Sequence, residues 1–404
     1  MDSLLAVWNA IVQETEREQV QEGPKAGLVR NFLIDDFYYR ESAFAAKIFA
    51  TEYLRTKKYI YKERAIASLK ALQEIIAQLN ISEGVNEPMW TPRGVRFRKG
   101  SIPATILLLC SIEETARLLH YDFEYDLEGV LDFLELCYLG SGRFYHDRID
   151  KNQKAHRLHV TNTSAMAYFF LQMAKQRDIK SEFYQQEIDK IERAILYSQR
   201  SDGFWPYIEP NILQRVFYRF SNFYPDILNK VYDLILKDRS IYFGDALHHV
   251  IILYFYVKGR GINPATLTQW EKIKISKGWA FVKSKLKTRP GNQICFDFSW
   301  EPRPRSFRYC NFIDASTYFY ILNLLPYLRK LDIITQKEKE KISTGIINYI
   351  ADNLLAIGTP AIRAYDGDDD ALQYIIPRPS ESVFDKGFYL ADMVLEGVNR
   401  EDIS

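Results

Sequence analysis

The sequence has almost no charge imbalance, and this excludes some classes of partner. Its 404 residues carry 53 Lys and Arg against 52 Asp and Glu, a formal net charge of +1. A chain without a net electrostatic field has no general attraction to nucleic acid or to an anionic membrane. We therefore expect no nucleic-acid partner.

Long apolar segments are also missing. The longest candidate runs from Val250 to Val257, whereas a membrane span needs roughly 18 apolar residues. The first residues lack a basic segment, and Glu14, Glu16 and Glu18 follow soon after, so we expect no signal peptide. The sequence predicts a cytoplasmic protein without a membrane span.

Cysteine and histidine are scarce, with four and six residues. The cysteines are Cys110, Cys137, Cys295 and Cys310. They show no C-x-x-C spacing and mostly have apolar neighbours, which predicts buried, reduced thiols. His156 and His159 have no convincing third zinc ligand. Walker, dinucleotide-binding and nucleophile-elbow motifs are absent. We therefore predict neither a metal nor a cofactor.

Aromatic residues, in contrast, are abundant. The chain has 27 Tyr, 25 Phe and 6 Trp, or 14% of all residues. Some of these rings must form the core. Tyr and Trp in this number also suit a cleft that stacks on apolar ring faces while it binds hydroxyl groups.

Two kinds of helical segment alternate along the chain. The first kind is amphipathic, with an apolar face opposite a charged one. Its members are 61–79, 182–197 and 336–355. The second kind is apolar on almost every side, so it must be surrounded by protein. Its members are 102–112, 164–173, 246–257, 315–328 and 384–395.

A repeat of about seventy residues organises these segments. Short polar elements at positions 35, 101, 162, 245, 314 and 385 introduce the buried helices. This period corresponds to one helical hairpin and its loop. Six hairpins predict an all-α fold, a single (α/α)6-type toroid domain over residues 1–404. An open superhelix is the competitor, but its binding face would be more polar than these inner helices.

The predicted toroid has a mouth, the end at which all inner helices begin. Asp or Asn at several of these starts can act as N-caps. The same positions form the rim of the mouth, so caps and ligand-binding groups lie together. Short β-hairpins are expected on this side at 95–98, 294–300 and 363–365.

Three segments resemble a known group of proteins. Residues 199–207 read Q-x-x-D-G-x-W-P-Y, which is similar to the Q-x-x-D-G-x-W turn of α/α toroid proteins. That group includes six-hairpin glycosidase-like enzymes, polysaccharide-biosynthesis proteins and terpenoid cyclases. The start Asp245–His248 resembles the D-x-x-H helix start of toroid proteins from bacterial polysaccharide gene clusters, and Asn162 opens a segment similar to their N-x-x-A-x-A start. This chain departs from the usual D-N-F-H-T-G, because Ala246 and Leu247 replace N-F and His249 and Val250 replace T-G.

The turn also has a physical logic of its own. Gly203 permits a tight turn, Gln199 can satisfy the loop backbone, and Trp205 can stack on the adjoining helix. Trp205 is also a candidate for stacking on a sugar.

The candidate acid–base residues follow from helical geometry. Asp245 and His248 lie one turn apart, so they share a helix face. A carboxylate can orient an imidazole and stabilise its charge for general acid–base work. Helices one repeat apart start at the same end, so Asn162 is expected beside this pair, and Tyr145 or Tyr207 can transfer a proton. The predicted catalytic residues are His248, Asp245, Asn162 and Tyr145. A polar mouth without catalysis is the alternative.

Basic residues concentrate in the loops before three buried helices. They are Arg93, Arg96, Arg98 and Lys99, then Arg143, Arg148 and Arg157, and finally Arg303, Arg305 and Arg308. A helix N-terminus with arginines binds anions. Uronate, sulfate, phosphate and diphosphate all fit, although pairing with acids such as Asp147 and Glu301 is an alternative. The predicted substrate-binding residues are Arg143, His146, His159, Trp205, Tyr207, Arg96, Arg98, Arg305, Arg308 and Asp314.

These features favour a carbohydrate-active enzyme. It would act on an acidic glycan or glycosyl intermediate by hydrolysis, elimination or epimerisation, with general acid–base chemistry in the mouth. One alternative is a terpenoid cyclase, since residues 366–370 read D-G-D-D-D with Asp369 as the acid. Their position in a strand-like loop favours a solvated acidic turn or, less strongly, a calcium loop. A non-catalytic toroid that binds a glycan or a protein is the third possibility.

Overall fold

The structure is a computed structural model, and twelve helices lie in the part of the chain that it describes. The described residues are 2–31, 36–91, 94–148, 160–175, 182–206, 246–261, 267–296, 316–353 and 383–401. The helices are α1 (Asp2–Glu18), α2 (Tyr39–Thr56), α3 (Tyr59–Gln78), α4 (Ile102–Leu119), α5 (Leu127–Leu136), α6 (Thr161–Ala174), α7 (Glu182–Ser198), α8 (Ala246–Gly261), α9 (Gln269–Ser284), α10 (Ser316–Lys330), α11 (Gln336–Asn353) and α12 (Val383–Glu401).

The even-numbered helices form a closed inner ring. Each of them packs against the next, from α2 through α4, α6, α8 and α10 to α12, and α12 packs against α2. The rings of Phe44 in α2 and Phe388 in α12 stack at this closing contact, with centroids 4.4 Å apart. Because the first and last inner helices touch, the fold is a toroid rather than an open superhelix, as predicted.

The odd-numbered helices lie outside this ring. Contacts join α2 to α3, α6 to α7, α8 to α9 and α10 to α11, and α1 packs against α11 and α12. Burial explains the two sequence patterns. In α4 every residue from Ile102 to Ile112 is buried, whereas α3 buries a single face. A helix with protein on all sides must be apolar all round.

Four antiparallel strand pairs are described. They are β1 (Arg30–Asn31) with β2 (Asp36–Phe37), β3 (Glu87–Thr91) with β4 (Gly94–Arg98), β5 (Tyr138–Gly140) with β6 (Arg143–Phe144), and β7 (Leu286–Arg289) with β8 (Gln293–Phe296). Each pair connects an outer helix to the next inner helix, so all four lie at the mouth. The hairpins predicted at 95–98 and 294–296 are confirmed. Residues 297–300 and 363–365 lie outside the described part.

Two further expectations concern the cysteines and membrane-spanning helices. Cys110, Cys137 and Cys295 are buried free thiols, as predicted, and Cys310 lies outside the described residues. Burial raises the pKa of Cys137 to about 12, so this thiol stays protonated. Among the residues that the structure describes, no helix is long and apolar enough to cross a membrane.

Charged side chains lie inside the inner ring, far below the mouth. Lys47 Nζ is 2.6 Å from Glu114 Oε2 and 2.8 Å from Asp392 Oδ1. Lys258 Nζ is 2.5 Å from Glu114 Oε1 and 3.7 Å from Asp392 Oδ2. We call these four residues the central ion cluster. It joins α2, α4, α8 and α12, and its two cations balance its two anions.

Candidate functional site

Four ionisable side chains meet at the mouth, which brings three hairpins together. Ser101 Oγ donates a hydrogen bond of 2.7 Å to Glu87 Oε2, and Arg40 Nη1 lies 3.5 Å from Glu87 Oε1. His146 Nδ1 lies 2.5 Å from Asp147 Oδ1. One ligand atom each from Glu87, His146 and Asp147 lies within 4.8 Å of the other two. We call Arg40, Glu87, His146 and Asp147 the mouth cluster.

Backbone hydrogen bonds hold this cluster in place. Ser101 caps α4, its hydroxyl accepting from Ala104 N. The amide of Ile102 donates to His146 O at 3.0 Å, and Arg148 N donates to Gly100 O at 2.8 Å. Gly100 has φ +56, and a Cβ there would lie 2.4 Å from Glu83 O, so only glycine fits. The loop after β6 is thereby fixed against the start of α4.

The cluster is accessible to a ligand. The side chains of Arg40, Glu87 and His146 are 16–17% exposed, and that of Asp147 is 33% exposed. Partial burial strengthens charge interactions, and the remaining exposure admits substrate.

The geometry suits proton transfer. The contact of Nδ1 with Asp147 fixes the orientation of the His146 imidazole, a side chain that can serve as a general acid or base. Arg40 and Ser101 hold Glu87 as an oriented carboxylate. A carboxylate and an Asp-oriented imidazole together provide an acid and a base.

One group among the described residues has the spacing to bind a divalent cation, and it consists of Glu87, His146 and Asp147. However, both oxygens of Glu87 already face donors, one of them the cationic Arg40. A cation there would be repelled by the guanidinium. The expectation of no metal stays a prediction.

Asn162 lies on the neighbouring part of the rim. Helix α6 begins at Thr161, and its N-cap residue is Val160, whose apolar side chain makes no capping hydrogen bond. Asn162 therefore lies in the first turn of the helix and is not the N-cap. Its side chain is buried, with 4% exposure, and no described residue forms a hydrogen bond with its Oδ1. Val160 N donates to Phe144 O, which ties this helix start to β6. Asn162 thus offers an acceptor next to the β5–β6 hairpin.

Two more predicted residues lie on that hairpin and its exit. Arg143 is in β6, and Tyr145 follows it, its amide donating to Cys137 O at 2.9 Å. Both side chains are half-buried. Arg143, Tyr145 and His146 therefore share one segment of the rim.

His248 is half-exposed in the first turn of α8. Helices α6 and α8 are neighbours in the inner ring, and Asn162 and His248 lie in their first turns, at the same end of the toroid. Whether their side chains converge stays a prediction, because Asp245 lies outside the described residues.

The prediction that Trp205 stacks on a sugar is wrong. Its side chain is fully buried and Nε1 donates to Ile195 O at 2.8 Å. Its amide donates to His249 Nδ1 at 2.9 Å, and His249 Nε2 lies 3.2 Å from Gly278 O. Burial lowers the pKa of His249 to about 4, so this imidazole is neutral and structural.

The rest of the turn works as expected. Gln199 Nε2 donates to Gly203 O at 3.0 Å and to Lys274 O at 2.9 Å. The ring of Trp205 packs on α9, where a Cβ on Gly278 would lie 2.2 Å from it. The Q-x-x-D-G-x-W segment therefore ties the end of α7 to α9, and Trp205 is part of that packing.

Several predicted residues cannot be placed by their side chains. Arg96 and Arg98 belong to strand β4, which lies at the mouth. His159, Tyr207, Asp245, Arg305, Arg308, Asp314 and the acidic run 366–370 lie outside the described residues.

Sequence reasoning missed Glu87 and Arg40, and it treated Asp147 only as a partner for arginines. Glu87 is the first residue of a strand paired with the predicted hairpin strand. Arg40 lies in the first turn of α2. Reading each segment before an inner helix for acids, as was done for arginines, would have found Glu87.

The toroid resembles solved carbohydrate-processing enzymes over its whole length. An unsaturated glucuronyl hydrolase specific for heparin is 14% identical with a TM-score of 0.63, covering 100% of this chain and 98% of that one. A cellobiose 2-epimerase from Bacillus thermoamylovorans is 8% identical with a TM-score of 0.60, covering 98% and 100%. A polysaccharide lyase is 13% identical with a TM-score of 0.54, covering 99% and 98%.

No protein-family model matches the sequence, and no curated protein matches it either. Identities this low show the fold alone. The chain therefore has the α/α toroid fold of these enzymes, which confirms the fold that the resemblance implied.

Proposed function

We propose that this protein is an enzyme that acts on an acidic glycan or glycosyl intermediate by general acid–base chemistry in its mouth. The observation that carries the proposal is the mouth cluster. It places Glu87 and the His146–Asp147 pair beside Arg40, at the rim of a closed toroid. A concave site with convergent titratable groups is where acid–base chemistry is expected.

Each residue has a role in the proposal. His146, oriented by Asp147, donates or accepts a proton at Nε2, and Glu87 serves as the second acid–base group. Hydrolysis, elimination and epimerisation of a sugar all require such a proton transfer. Arg143 binds the acidic group of the substrate, and Oδ1 of Asn162 accepts a hydrogen bond from a substrate hydroxyl.

The predicted pair Asp245 and His248 belongs to the same proposal. His248 lies in the first turn of α8, the inner helix beside α6. It can therefore supply a further acid–base group across the mouth from His146. Tyr145 follows the basic strand β6 and is a further proton donor in this segment.

The names of the structural neighbours support the proposed substrate class and reaction types. One is a glucuronyl hydrolase, whose name states an acidic sugar. The others are an epimerase and a lyase, which carry out the two other reaction types.

We also propose a cytoplasmic location and a part in polysaccharide biosynthesis. Three buried free thiols are compatible with a reducing compartment.

The test uses three substrates with three different readouts. An unsaturated glucuronyl disaccharide loses its ultraviolet chromophore on hydrolysis, a polyuronate gains that chromophore on elimination, and cellobiose changes epimer ratio on epimerisation. We expect turnover of one acidic substrate. No turnover of any of the three by the folded protein contradicts the enzyme proposal.

Two variants then test the cluster. His146→Gln and Glu87→Gln should each lower kcat by about 100-fold or more, the scale of a lost acid or base. The matched control is His120→Asn, because His120 is exposed at the end of α4 with φ 50, a conformation that Asn tolerates. Full activity in both mouth variants contradicts the assignment of these residues.

A further inference from the structure

Two exposed aromatic rings from different outer helices meet on the surface of the toroid. Tyr197, at the end of α7, is 66% exposed, and Trp270, in the first turn of α9, is 40% exposed. Their ring centroids are 5.6 Å apart and their planes are inclined by 52°. Ile273, one turn after Trp270, is 45% exposed. Exposed apolar side chains that cluster in this way mark binding sites more often than scattered ones do.

Cations border these rings. Lys274 Nζ lies 5.7 Å from the centroid of the Trp270 ring. Lys277 follows one turn later on the same helix face, and Arg193 precedes Tyr197 by one turn on α7. Among the described residues, no carboxylate forms an ion pair with Arg193, Lys274 or Lys277. These three cations therefore give the surface a positive charge, whereas the positive and negative charges of the whole chain nearly cancel.

The electrostatics of Lys274 point the same way. Burial, followed by the charge of Lys277, lowers the pKa of Lys274. An anion bound between the two ammonium groups would relieve this repulsion.

The backbone beneath this surface is fixed. Gln199, directly after α7, donates to the carbonyl of Lys274 in α9. Gly203 approaches Lys277 so closely that a Cβ on it would lie 2.3 Å from Lys277 O. The two helices are thus tied together, so Tyr197 and Trp270 keep their relative positions without a ligand.

We propose that this surface is a second binding site, outside the mouth, for an acidic sugar chain. We call it the outer aromatic surface; its residues are Arg193, Tyr197, Trp270, Ile273, Lys274 and Lys277. Tyr and Trp present flat apolar faces that stack on sugar rings, and the cations pair with carboxylate or sulfate groups. From Trp270 to Lys277 the helix rises about 10 Å, which suits a short stretch of a chain rather than one group. Such a site retains a polymer while the mouth acts on it, but its binding does not depend on chemistry there.

Other partners fit less well. Protein interfaces are depleted of lysine at their centre, whereas Lys274 lies directly beside Trp270 within this surface. A nucleic acid would need a wider basic field than three cations in a chain of net charge +1. The surface combines few charges with flat rings, which matches a sugar chain with intermittent acidic groups.

The experiment titrates the full-length protein with a galacturonate hexamer, and with a neutral maltohexaose as the comparison probe. Indole N–H signals of 15N-labelled protein report binding at Trp270, and calorimetry gives the affinity. We expect the Trp270 signal to shift with the acidic hexamer and much less with the neutral one. Equal shifts contradict the acidic part of the proposal, and no shift contradicts the site.

Variants separate stacking from charge. Tyr197→Ala with Trp270→Ala should weaken binding at this site by at least about tenfold, while Tyr197→Phe should retain it because the ring remains. Lys274→Gln with Lys277→Gln should weaken it similarly. The charge-matched control is Lys337→Gln with Lys341→Gln, two exposed lysines one turn apart on α11.

The outcomes distinguish this proposal from that for the mouth. If the aromatic double variant, with its fold verified by circular dichroism, binds the hexamer with the same stoichiometry and affinity as the unsubstituted protein, the outer site is overturned. Loss of one calorimetric binding event while binding at the mouth remains supports it. An equal loss in the α11 control shows unspecific charge attraction and also overturns it. His146→Gln should leave the Trp270 shift unchanged, so a protein that is inactive on every substrate can still confirm the outer aromatic surface. Shifts produced by a single-stranded oligonucleotide or by self-association, but not by the hexamer, assign the surface to another partner and reject the sugar proposal.

Discussion

Lys47 Nζ and Asp392 Oδ1 lie 2.8 Å apart, although 345 residues separate them in the sequence. This ion pair joins the first inner helix, α2, to the last, α12, at the point where the toroid closes. Burial disfavours the charge of Asp392, but Lys47 and Lys258 outweigh it and lower its pKa. The closing contact is therefore ionic as well as apolar.

Removing one cation from the central ion cluster should destabilise the fold strongly. Among the described residues, Lys47→Met leaves Lys258 as the one cation paired with Glu114 and Asp392, in a buried setting where an uncompensated charge is costly. We expect the free energy of unfolding to fall by about 3 kcal/mol, measured by urea denaturation. Lys283→Met is the control, because its pair with Glu338 is exposed and should contribute less than about 1 kcal/mol. Equal losses in both variants would show that closure does not depend on this pair.

A second buried ionic group makes stability depend on pH. Burial, with a contribution from Glu271, raises the pKa of Glu192 to about 7. Tyr168 and Tyr256 donate to Glu192 Oε1, and Arg260 Nε lies 3.4 Å from it. Arg260 also pairs with Glu271 at 2.9 Å. The folded state thus keeps a proton on Glu192 over a range where the unfolded chain has lost it.

The sign of this effect follows from linkage. The folded pKa of Glu192 exceeds the unfolded value of about 4.3, so its contribution is complete below pH 4.3 and is lost as the pH rises towards 7. His249 acts oppositely, because its lowered pKa gives a contribution that is complete above about pH 6.5 and is lost as the pH falls towards 4. The two slopes oppose each other between pH 4 and 7.

Glu192→Gln should expose the slope of His249. We expect its Tm to rise between pH 4.5 and 7 more steeply than that of the unsubstituted protein, with a difference in stability of roughly 2 to 4 kcal/mol across the window. Asp189→Asn on the same helix is the control, since Asp189 is exposed. Parallel profiles for Glu192→Gln and the unsubstituted protein would refute the buried proton.

Gly278 provides space for the ring of Trp205. Gly278→Ala should destabilise the protein by about 1 to 3 kcal/mol, because the added Cβ would lie 2.2 Å from that ring. Thermal unfolding measures the loss. In a protein that already carries Trp205→Phe, Gly278→Ala should cost less stability than it does in the unsubstituted protein, because the smaller ring leaves room for the added Cβ. Strict additivity of the two changes would show that ring and Cβ do not meet.

His248 tests the other side of the mouth. His248→Ala should lower turnover by about 100-fold or more with little change in Tm, because the residue is half-exposed at a helix start. His120→Asn again serves as the control. A large fall in Tm alongside activity would identify His248 as a structural residue.

Chelation should leave the protein unaffected. Arg40 and Ser101 occupy both oxygens of Glu87, which disfavours a divalent cation at the mouth cluster. We expect unchanged turnover after EDTA treatment and no stoichiometric metal by elemental analysis. One metal per chain that is lost in Glu87→Gln would prove this prediction wrong.

The mouth shows why local patterns predict some site residues and miss others. Asn162 was predicted because helix starts one repeat apart share a rim, and α6 does start beside α8. His146 was predicted as a substrate-binding residue of the mouth, and it belongs to the mouth cluster. Glu87 and Arg40 were not, because their significance comes from contacts with Ser101 and with each other across separate hairpins. Trp205 was assigned to ligand stacking, yet the space left by Gly278 on α9 buries it.

Periodicity alone was enough to predict the six hairpins, since a helix with protein on every side must be apolar all round and one at the surface need not be. The contacts that close the ring, in contrast to the number of hairpins, could not be predicted from periodicity. The contact between Lys47 and Asp392, like the one between Glu192 and Glu271, joins residues that no local pattern relates. Such contacts depend on the relative positions of whole helices, and these arise only when all inner helices pack together and exclude water.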